Sequence, residues 1–195
     1  DVLFDAFNRG RYATDASISQ LAPGGVVLPK TEQDLVSAVE ISVDSGVPIL
    51  ARGGGTSQCG QTVNEAVVID CSRYLNKILD FNVEQKTIKV QPGLVLDHLN
   101  TFLKPHGLFF PVDISTASRA TIGGMTSNNS CGARSIHYGI MVDNVRAIDA
   151  FLPSGEHFEF GYTPNNLDKL TEGQGYERIV RQVREIAHRE RTELE

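Results

Sequence analysis

Three consecutive glycines, Gly53, Gly54 and Gly55, follow the apolar run Val47-Pro48-Ile49-Leu50 and Arg52, and lead into Thr56 and Ser57. Glycine leaves the backbone bare, so successive amides can approach a ligand and point one way as an anion nest. A phosphate is the natural guest. Two common phosphate loops do not fit. A G-x-G-x-x-G fingerprint opening a helix would need glycine where Gln58 stands, and residues 56–65 carry no helical period. A G-x-x-x-x-G-K-[ST] loop is approached by Gly55 to Thr62, but Gln61 occupies the lysine position. For the loop taken alone, a plain glycine turn joining two strands remains open.

A second small-residue stretch covers residues 121–132, from Thr121 through Gly123, Gly124, Ser127 and Asn128 to Gly132. It is dense in hydrogen-bonding groups and poor in apolar bulk, so it reads as a loop rather than core filling, with glycines that permit close backbone approach. Pro111, Asp113 and Ser115 precede it as a rigid turn offering one carboxylate and one hydroxyl; an ordinary Asx or Ser turn is the alternative. Two separated glycine-rich loops suit one long ligand lying between two subdomains. Other reactive side chains form no pattern. Cys59, Cys71 and Cys131 make no C-x-x-C pair, and His98, His106, His137, His157 and His188 lack metal-ligand spacing. No metal site and no disulfide framework is expected, and a reducing compartment fits best.

The elements around these loops are legible from hydrophobic periods. Residues 1–24 show no sustained period and read as a lead-in segment with little regular structure. Val26-Val27-Leu28 is a strand, and Thr31 with Asp34 forms a capping box opening a helix that carries Leu35, Val36, Val39 and Val43 and stops at Gly46. Residues 47–50 and 67–69 supply further strands, so strand, helix, strand, glycine loop and strand make a parallel βαβ unit. Residues 78–83 and 87–91 read as an antiparallel hairpin, Leu96, Leu99 and Leu103 as a short amphipathic helix, and residues 145–152 and 156–160 as a second hairpin. From Tyr176 the chain reads as a helix with Ile179, Val183 and Ile186 on one face and the pairs Glu177/Arg181 and Glu185/Arg189 along it. The fold class is therefore α+β: two subdomains, a small parallel βαβ unit followed by a mainly antiparallel sheet with helices. The domain reading is lead-in 1–24, first subdomain 25–75 and second subdomain 76–195.

Bulk properties exclude several classes. The chain has 195 residues, 41% hydrophobic and 22% charged, which suits a folded domain rather than disorder. A net charge of −6 offers no basic field, and the C-terminal arginines alternate with Glu177, Glu185 and Glu190, so no nucleic acid is expected. No apolar run approaches the roughly 20 residues of a membrane-spanning helix. The start Asp1-Val2-Leu3-Phe4-Asp5 is too acidic for a secretory signal, and the chain reads as cytoplasmic or peripheral at the inner face of a membrane. The absent initiator Met and the final Leu194-Glu195 suit a piece excised from something longer.

Several motifs together carry a family resemblance: Tyr12-Ala13-Thr14-Asp15-Ala16-Ser17, Val27-x-Pro29-Lys30-Thr31, Pro48-x-x-x-Arg52-Gly53-Gly54-Gly55-Thr56-Ser57, Thr121-Ile122-Gly123-Gly124, Asn128-Asn129-Ser130-Cys131-Gly132 and Tyr138-Gly139. Through Phe160 the chain resembles the FAD-binding (PCMH-type) domain of the vanillyl-alcohol oxidase/p-cresol methylhydroxylase flavoproteins, in particular the FAD-linked D-2-hydroxyacid dehydrogenases acting on D-lactate, glycolate or D-2-hydroxyglutarate. The resemblance implies an oxidoreductase in which hydride passes from the carbinol carbon to flavin N5 while a base takes the hydroxyl proton. It implies that Gly53, Gly54, Gly55, Thr56, Ser57 and Gly60 hold the FAD diphosphate, with Gln61 adding a side-chain contact. Arg52 is either a further contact or a partner in an ion pair. Pro111, Asp113, Ser115, Thr121, Gly123, Gly124, Ser127, Asn128 and Gly132 would line the ribityl and isoalloxazine region, and Tyr138 would close the site or simply pack. Some relatives attach FAD through a histidine at the position of Thr56, so dissociable, non-covalent FAD is implied here. The family's S-E-G-T-L-G segment and substrate cap domain have no counterpart in this sequence, which implies that no catalytic residue lies in this chain. An iron–sulfur domain or subunit outside the chain is a further implied partner. Two alternatives remain: another FAD enzyme on the same scaffold, a reductase or an ether-lipid synthase, and a non-catalytic nucleotide-binding module.

Overall fold

A computed structural model describes residues 1–164, 166 and 174–194, and the chain divides into two compact units, Asp1–Val145 and Arg146–Glu195. In the first unit β1 (Val2–Leu3), α1 (Ala6–Arg11), β2 (Gly25–Val27), α2 (Glu32–Asp44), β3 (Ile49–Arg52) and β4 (Val67–Asp70) follow one another. The strands form one sheet in the order β1-β2-β4-β3. The expected parallel unit is there: Val26 pairs with Val68 and Leu50 with Val68, both in parallel register. β4 is central, and Val68, Ile69 and Asp70 are buried, as a strand paired on both edges requires. The Thr31 hydroxyl accepts from the Asp34 amide and the Asp34 carboxylate from the Thr31 amide, so α2 starts at the expected capping box. It ends before Gly46, whose φ of +65° favours glycine.

The lead-in segment departs from expectation. β1 adds an antiparallel strand against β2, and α1 starts at Asp5, whose carboxylate accepts from the Asn8 amide. Neither element has an apolar period to read. β1 has only two residues, and the aromatic side chains Phe4 and Phe7 are exposed.

β5 (Ile78–Asn82) and β6 (Thr87–Val90) form the expected antiparallel hairpin, and α3 (Leu96–Leu103) buries Leu96, Leu99 and Leu103. A single 3₁₀ turn, Lys104–His106, closes α3 and ends at Gly107. Then come α4 (Ile122–Ser127), α5 (Ser135–Tyr138) and α6 (Met141–Asn144). The reading of residues 121–132 as a loop outside the core is corrected here. Residues 122–127 are helical, and Ile122 and Met125 belong to a core with Leu94, Leu96, Leu99, Leu103, Val112, Ala120 and Met141. Gly123 is small because it lies against Pro92: a Cβ there would stand 2.6 Å from the Pro92 Cβ.

In the second unit β7 (Ile148–Phe151) pairs antiparallel with β8 (His157–Phe160) across a turn whose Gly155 has φ +80°. α7 (Gln174–Arg189) and α8 (Arg191–Leu194) follow. Tyr176 of α7 is buried against Phe158 and Phe160, ring centroids 6.1 and 5.4 Å away. The Glu177/Arg181 pair forms at 2.6 Å, but Arg189 pairs with its neighbour Glu190 rather than with Glu185. Val183 and Ile186 are exposed.

Candidate functional site

The glycine loop leaves the carboxyl end of β3, where open parallel sheets bind ligands. The Arg52 carbonyl accepts from the Cys71 amide, which pins the start of the loop to the end of β4. None of the amides of Gly53, Gly54, Gly55, Thr56 and Ser57 donates to a backbone carbonyl among the described residues. Gly55 has φ +64°, a conformation that leaves its neighbours' amides free to turn outward.

The second stretch stands directly against this loop. A Cβ on Gly53 would lie well under 3.0 Å from the Thr121 hydroxyl, and one on Gly54 equally close to the Arg119 carbonyl oxygen. Only glycine permits that approach. Between the two stretches lies a cavity of about 200 Å³. Gly53, Gly54, Gly55, Thr56, Ser57, Thr121, Gly124 and Asn128 line it, all of them expected site residues. Thr62, Ile114, Thr116, Ala120, Met125, Ser130 and Cys131 complete the wall and were not expected. No carboxylate, amine or guanidinium is among the lining groups.

The two walls differ in chemistry. The amides of Ile122 and Gly123 donate to the carbonyls of Leu94 and Pro92 at 2.8 Å, and that of Gly124 to the Thr121 hydroxyl at 3.3 Å. The buried Thr121 therefore acts as the N-cap of α4, and this wall meets the cavity with side chains rather than peptide nitrogens. The Ser57 hydroxyl donates to Gln61 Oε1, and Gln61 Nε2 donates to Asn128 Oδ1 at 2.7 Å, bridging the walls outside the cavity.

The other expected residues lie outside the cavity lining. Arg52 donates from one terminal nitrogen to the Thr62 carbonyl and from the other to the Thr14 carbonyl, both at 2.9 Å. Gly60 abuts Ser19, and Ser127 folds its hydroxyl back onto the Gly123 carbonyl. Asp113 binds the Arg134 amide at 3.1 Å and its guanidinium at 2.8 Å. Those bonds, the amide first and then the guanidinium, hold the Asp113 carboxyl below the ordinary aspartate value. Gly132 packs on the Asp113 backbone, Pro111 is half-buried and Ser115 is exposed. Tyr138 packs edge-on against Phe109 and His137. No group of three or more His, Cys, Asp or Glu among the described residues is placed to hold a metal. No helix among them is long and apolar enough to cross a membrane.

The missed lining residues had little signal. Ile114, Ala120 and Met125 look like core in any sequence, and Thr116 sits one turn position from the exposed Ser115. Ser130 and Cys131 lay inside a motif already singled out, and their polarity beside Asn128 was the available clue.

The sequence model of the FAD binding domain family matches residues 23–161. The D-2-hydroxyglutarate dehydrogenase of Haemophilus influenzae is 39% identical over 173 residues, covering 87% of this chain and 17% of that protein. The glycolate oxidase subunit GlcD of Bacillus subtilis is 33% identical over 162 residues, covering 81% of this chain and 34% of that protein. This chain thus spans a minor part of the length of each. Among solved structures, alkyldihydroxyacetonephosphate synthase shares the fold with a TM-score of 0.72 at 23% identity, over 83% of this chain and 31% of that one. The matched span contains the parallel sheet, the glycine loop and the cavity wall opposite it, so the chain belongs to the FAD binding domain family, with the PCMH-type flavoprotein fold that its motifs resemble, and its cofactor is FAD.

Proposed function

We propose that this chain is the FAD-binding portion of a flavin-dependent dehydrogenase that oxidises a D-2-hydroxy acid of the 2-hydroxyglutarate, lactate or glycolate type. The observation that carries this reading is that residues 53–57, whose amides donate to no backbone carbonyl among the described residues, line one cavity with Thr121, Asn128 and Ser130. The donor set fits the group. A diphosphate asks for convergent N–H donors and no facing carboxylate, and a ribityl chain asks for hydroxyl and amide partners. Bound FAD supplies the hydride acceptor, and the protein supplies binding, orientation and exclusion of water. In this reading residues 53–57 provide the diphosphate side and residues 111–132 the ribityl and ring side. The lining side chains are hydroxyls, an amide, a thiol and apolar groups. No imidazole, carboxylate or amine is among them. The base and the cation that bind the hydroxy acid therefore come from a substrate cap domain, and electrons leave through an acceptor such as an iron–sulfur domain or subunit, with the whole protein in the cytoplasm or at the inner face of a membrane.

Thr56 lines the cavity, and since it matches the position where some members of the resembled family carry the attaching histidine, dissociable FAD is expected in this reading. Two measurements test the reading. Purified chain should quench flavin fluorescence on titration with FAD and release intact FAD into the supernatant on acid precipitation; affinity weaker than about 1 mM would refute it. Protein carrying this chain together with its flanking sequence should reduce a dye acceptor with D-2-hydroxyglutarate, D-lactate or glycolate, and failure with all three would refute the substrate class.

A further inference from the structure

Residues 12–19 lie outside the span that the family model matches, yet they back the glycine loop at several points. Arg52, at the root of the loop, donates to the Thr14 carbonyl at 2.9 Å, and its guanidinium lies over the Tyr12 ring, 5.6 Å from the centroid. The Tyr12 hydroxyl donates to Asp70 Oδ2 at 2.7 Å, which ties the same residue to the end of β4. At the far end of the loop the Thr62 hydroxyl donates to Asp15 Oδ2 at 2.9 Å, while the Thr62 carbonyl accepts from Arg52. Gly60, with φ +76°, meets Ser19: a Cβ there would lie 2.6 Å from the Ser19 hydroxyl oxygen.

The segment is itself held in shape. The Ser17 amide donates to Asp15 Oδ1 at 2.8 Å, the Ser19 amide to the Ser17 hydroxyl at 2.9 Å, and the Leu21 amide to the Ala13 carbonyl at 2.9 Å. One Asp15 carboxylate thus fixes both its own turn and the loop. Both root and end of the glycine loop are fastened to one short stretch, while the amides of residues 53–57 donate to no backbone carbonyl among the described residues. An anion nest requires that combination, because amides that wander pay an ordering cost on every binding event.

The geometry points to residues 12–19 as a strap that presets the diphosphate loop, with Arg52, Tyr12 and Asp15 as positioning residues that do not touch the cofactor. This rests on the reading of the cavity as the FAD site. Arg52 serves by its fork, two donors spaced to take two carbonyls, and by its flat face on Tyr12. A lysine keeps the charge and loses both features.

The test uses the full chain and its Arg52→Lys, Arg52→Gln and Asp15→Asn variants. FAD affinity is measured by flavin fluorescence quenching over a series of ionic strengths, at a temperature where circular dichroism shows each protein folded. Binding to a loop populated in the competent arrangement only a tenth of the time is weakened tenfold. Arg52→Lys and Arg52→Gln are both expected to weaken FAD binding by about tenfold, and Arg52→Gln with the same ionic-strength dependence as the parent, because the charge at this position is not what holds the diphosphate. Asp15→Asn is expected to weaken it in the same direction, since the amide keeps one accepting oxygen and loses the charge that strengthens the bonds from Ser17 and Thr62. Parent-like affinity in both variants, with the parent binding FAD, would overturn the strap and leave the cofactor site intact. Retained affinity in Arg52→Lys together with loss in Arg52→Gln would overturn it in favour of a direct charge contact. A parent chain that does not bind FAD would overturn the reading of the cavity as well. Should Arg52→Lys fail to fold, the Asp15→Asn result decides alone.

Discussion

Replacing Gly53 by alanine tests the contact on which the cavity depends. The added Cβ would fall well under 3.0 Å from the Thr121 hydroxyl oxygen and 3.4 Å from the Thr121 Cβ, short of an ordinary oxygen contact by about 1 Å. Thr121 is 2% exposed and caps α4, so it has two ways to respond. Rotating the hydroxyl away forfeits the cap at about 1 kcal/mol; keeping it forces loop and helix apart, an overpacking cost of about 1–3 kcal/mol. The net destabilisation is about 1 kcal/mol if the hydroxyl rotates and up to about 3 kcal/mol if it does not, with about 2 kcal/mol the middle of that range. In a unit of this size that lowers the melting temperature by about 4–8 °C. The cavity wall moves with the loop, and FAD affinity should drop about tenfold, or about 1.4 kcal/mol. Thermal unfolding by circular dichroism and fluorescence titration measure the two effects. Thr121→Ala alone should cost about 1 kcal/mol through the lost cap, and the double variant should cost less than the two singles added, because the colliding atom is gone. Gly10→Ala is the control: nothing lies within 4 Å of its Cβ in α1, so it should be neutral or stabilising by about 0.4–1 kcal/mol. Additive Gly53 and Thr121 effects, or a Gly53→Ala chain that melts and binds like the parent, would refute the close approach.

Thiol chemistry should divide the three cysteines. Cys59 and Cys131 are exposed and should alkylate in mild alkali, whereas burial, and then the Asp70 charge, push the Cys71 thiol up to about 11 and should keep it unmodified. FAD should protect Cys131, which lines the cavity, as read by mass spectrometry of the labelled peptides. Leu99→Ala, in the core under α3, should cost about 2–5 kcal/mol in a denaturant titration, and much less would mean that the site collapses without penalty. On the acid side Asp34 is held below 3.8 chiefly by the Lys30 and Thr31 amides, and Asp113 by Arg134. A depressed folded value means the contribution is whole above 3.8 and lost as the pH falls through the lower folded value, so stability should be level above 3.8 and fall between 3.8 and that lower value. Asp113→Asn should make the fall shallower.

The sequence carried the elements whose signals are local. The Thr31/Asp34 box, the leucines of α3 and the turns of both hairpins each announce an element within a few residues. α4 does not. Its six residues include two glycines and two hydroxyl side chains, poor helix formers, and its first two amides are satisfied by Leu94 and Pro92 across the fold rather than by its own neighbours. α5 and α6, with four residues each, are too short for a period, and β1 exists only because β2 offers an edge. The site divides the same way. The glycine loop is visible because glycine has few other reasons to come in threes, while the wall facing it is partly ordinary core that no polar signature marks.

The cavity is lined without a single fixed cation, yet its proposed guest carries a diphosphate, so geometry rather than net charge must supply the attraction. Fixed amide dipoles do this only if the loop cannot relax, which shifts the burden onto the groups behind it. Two of those groups titrate, on opposite sides of neutrality. Partial burial raises the Asp15 carboxyl, but the Ser17 and Thr62 hydrogen bonds together outweigh it and hold it below 3.8. Burial, and then the bond to Asp70, raise the Tyr12 phenol well above its ordinary 10.0. The Asp15 contribution is therefore complete above 3.8 and lost as the pH falls through the folded value; the Tyr12 contribution is complete below 10.0 and lost as the pH rises through the folded value. FAD affinity should accordingly hold level between those limits and fall outside both, the alkaline fall being delayed in Tyr12→Phe, which keeps the ring beneath Arg52 and has no proton to lose. A single sloping profile across neutrality would mean that a group in the cavity itself, not the strap behind it, governs how the cofactor is held.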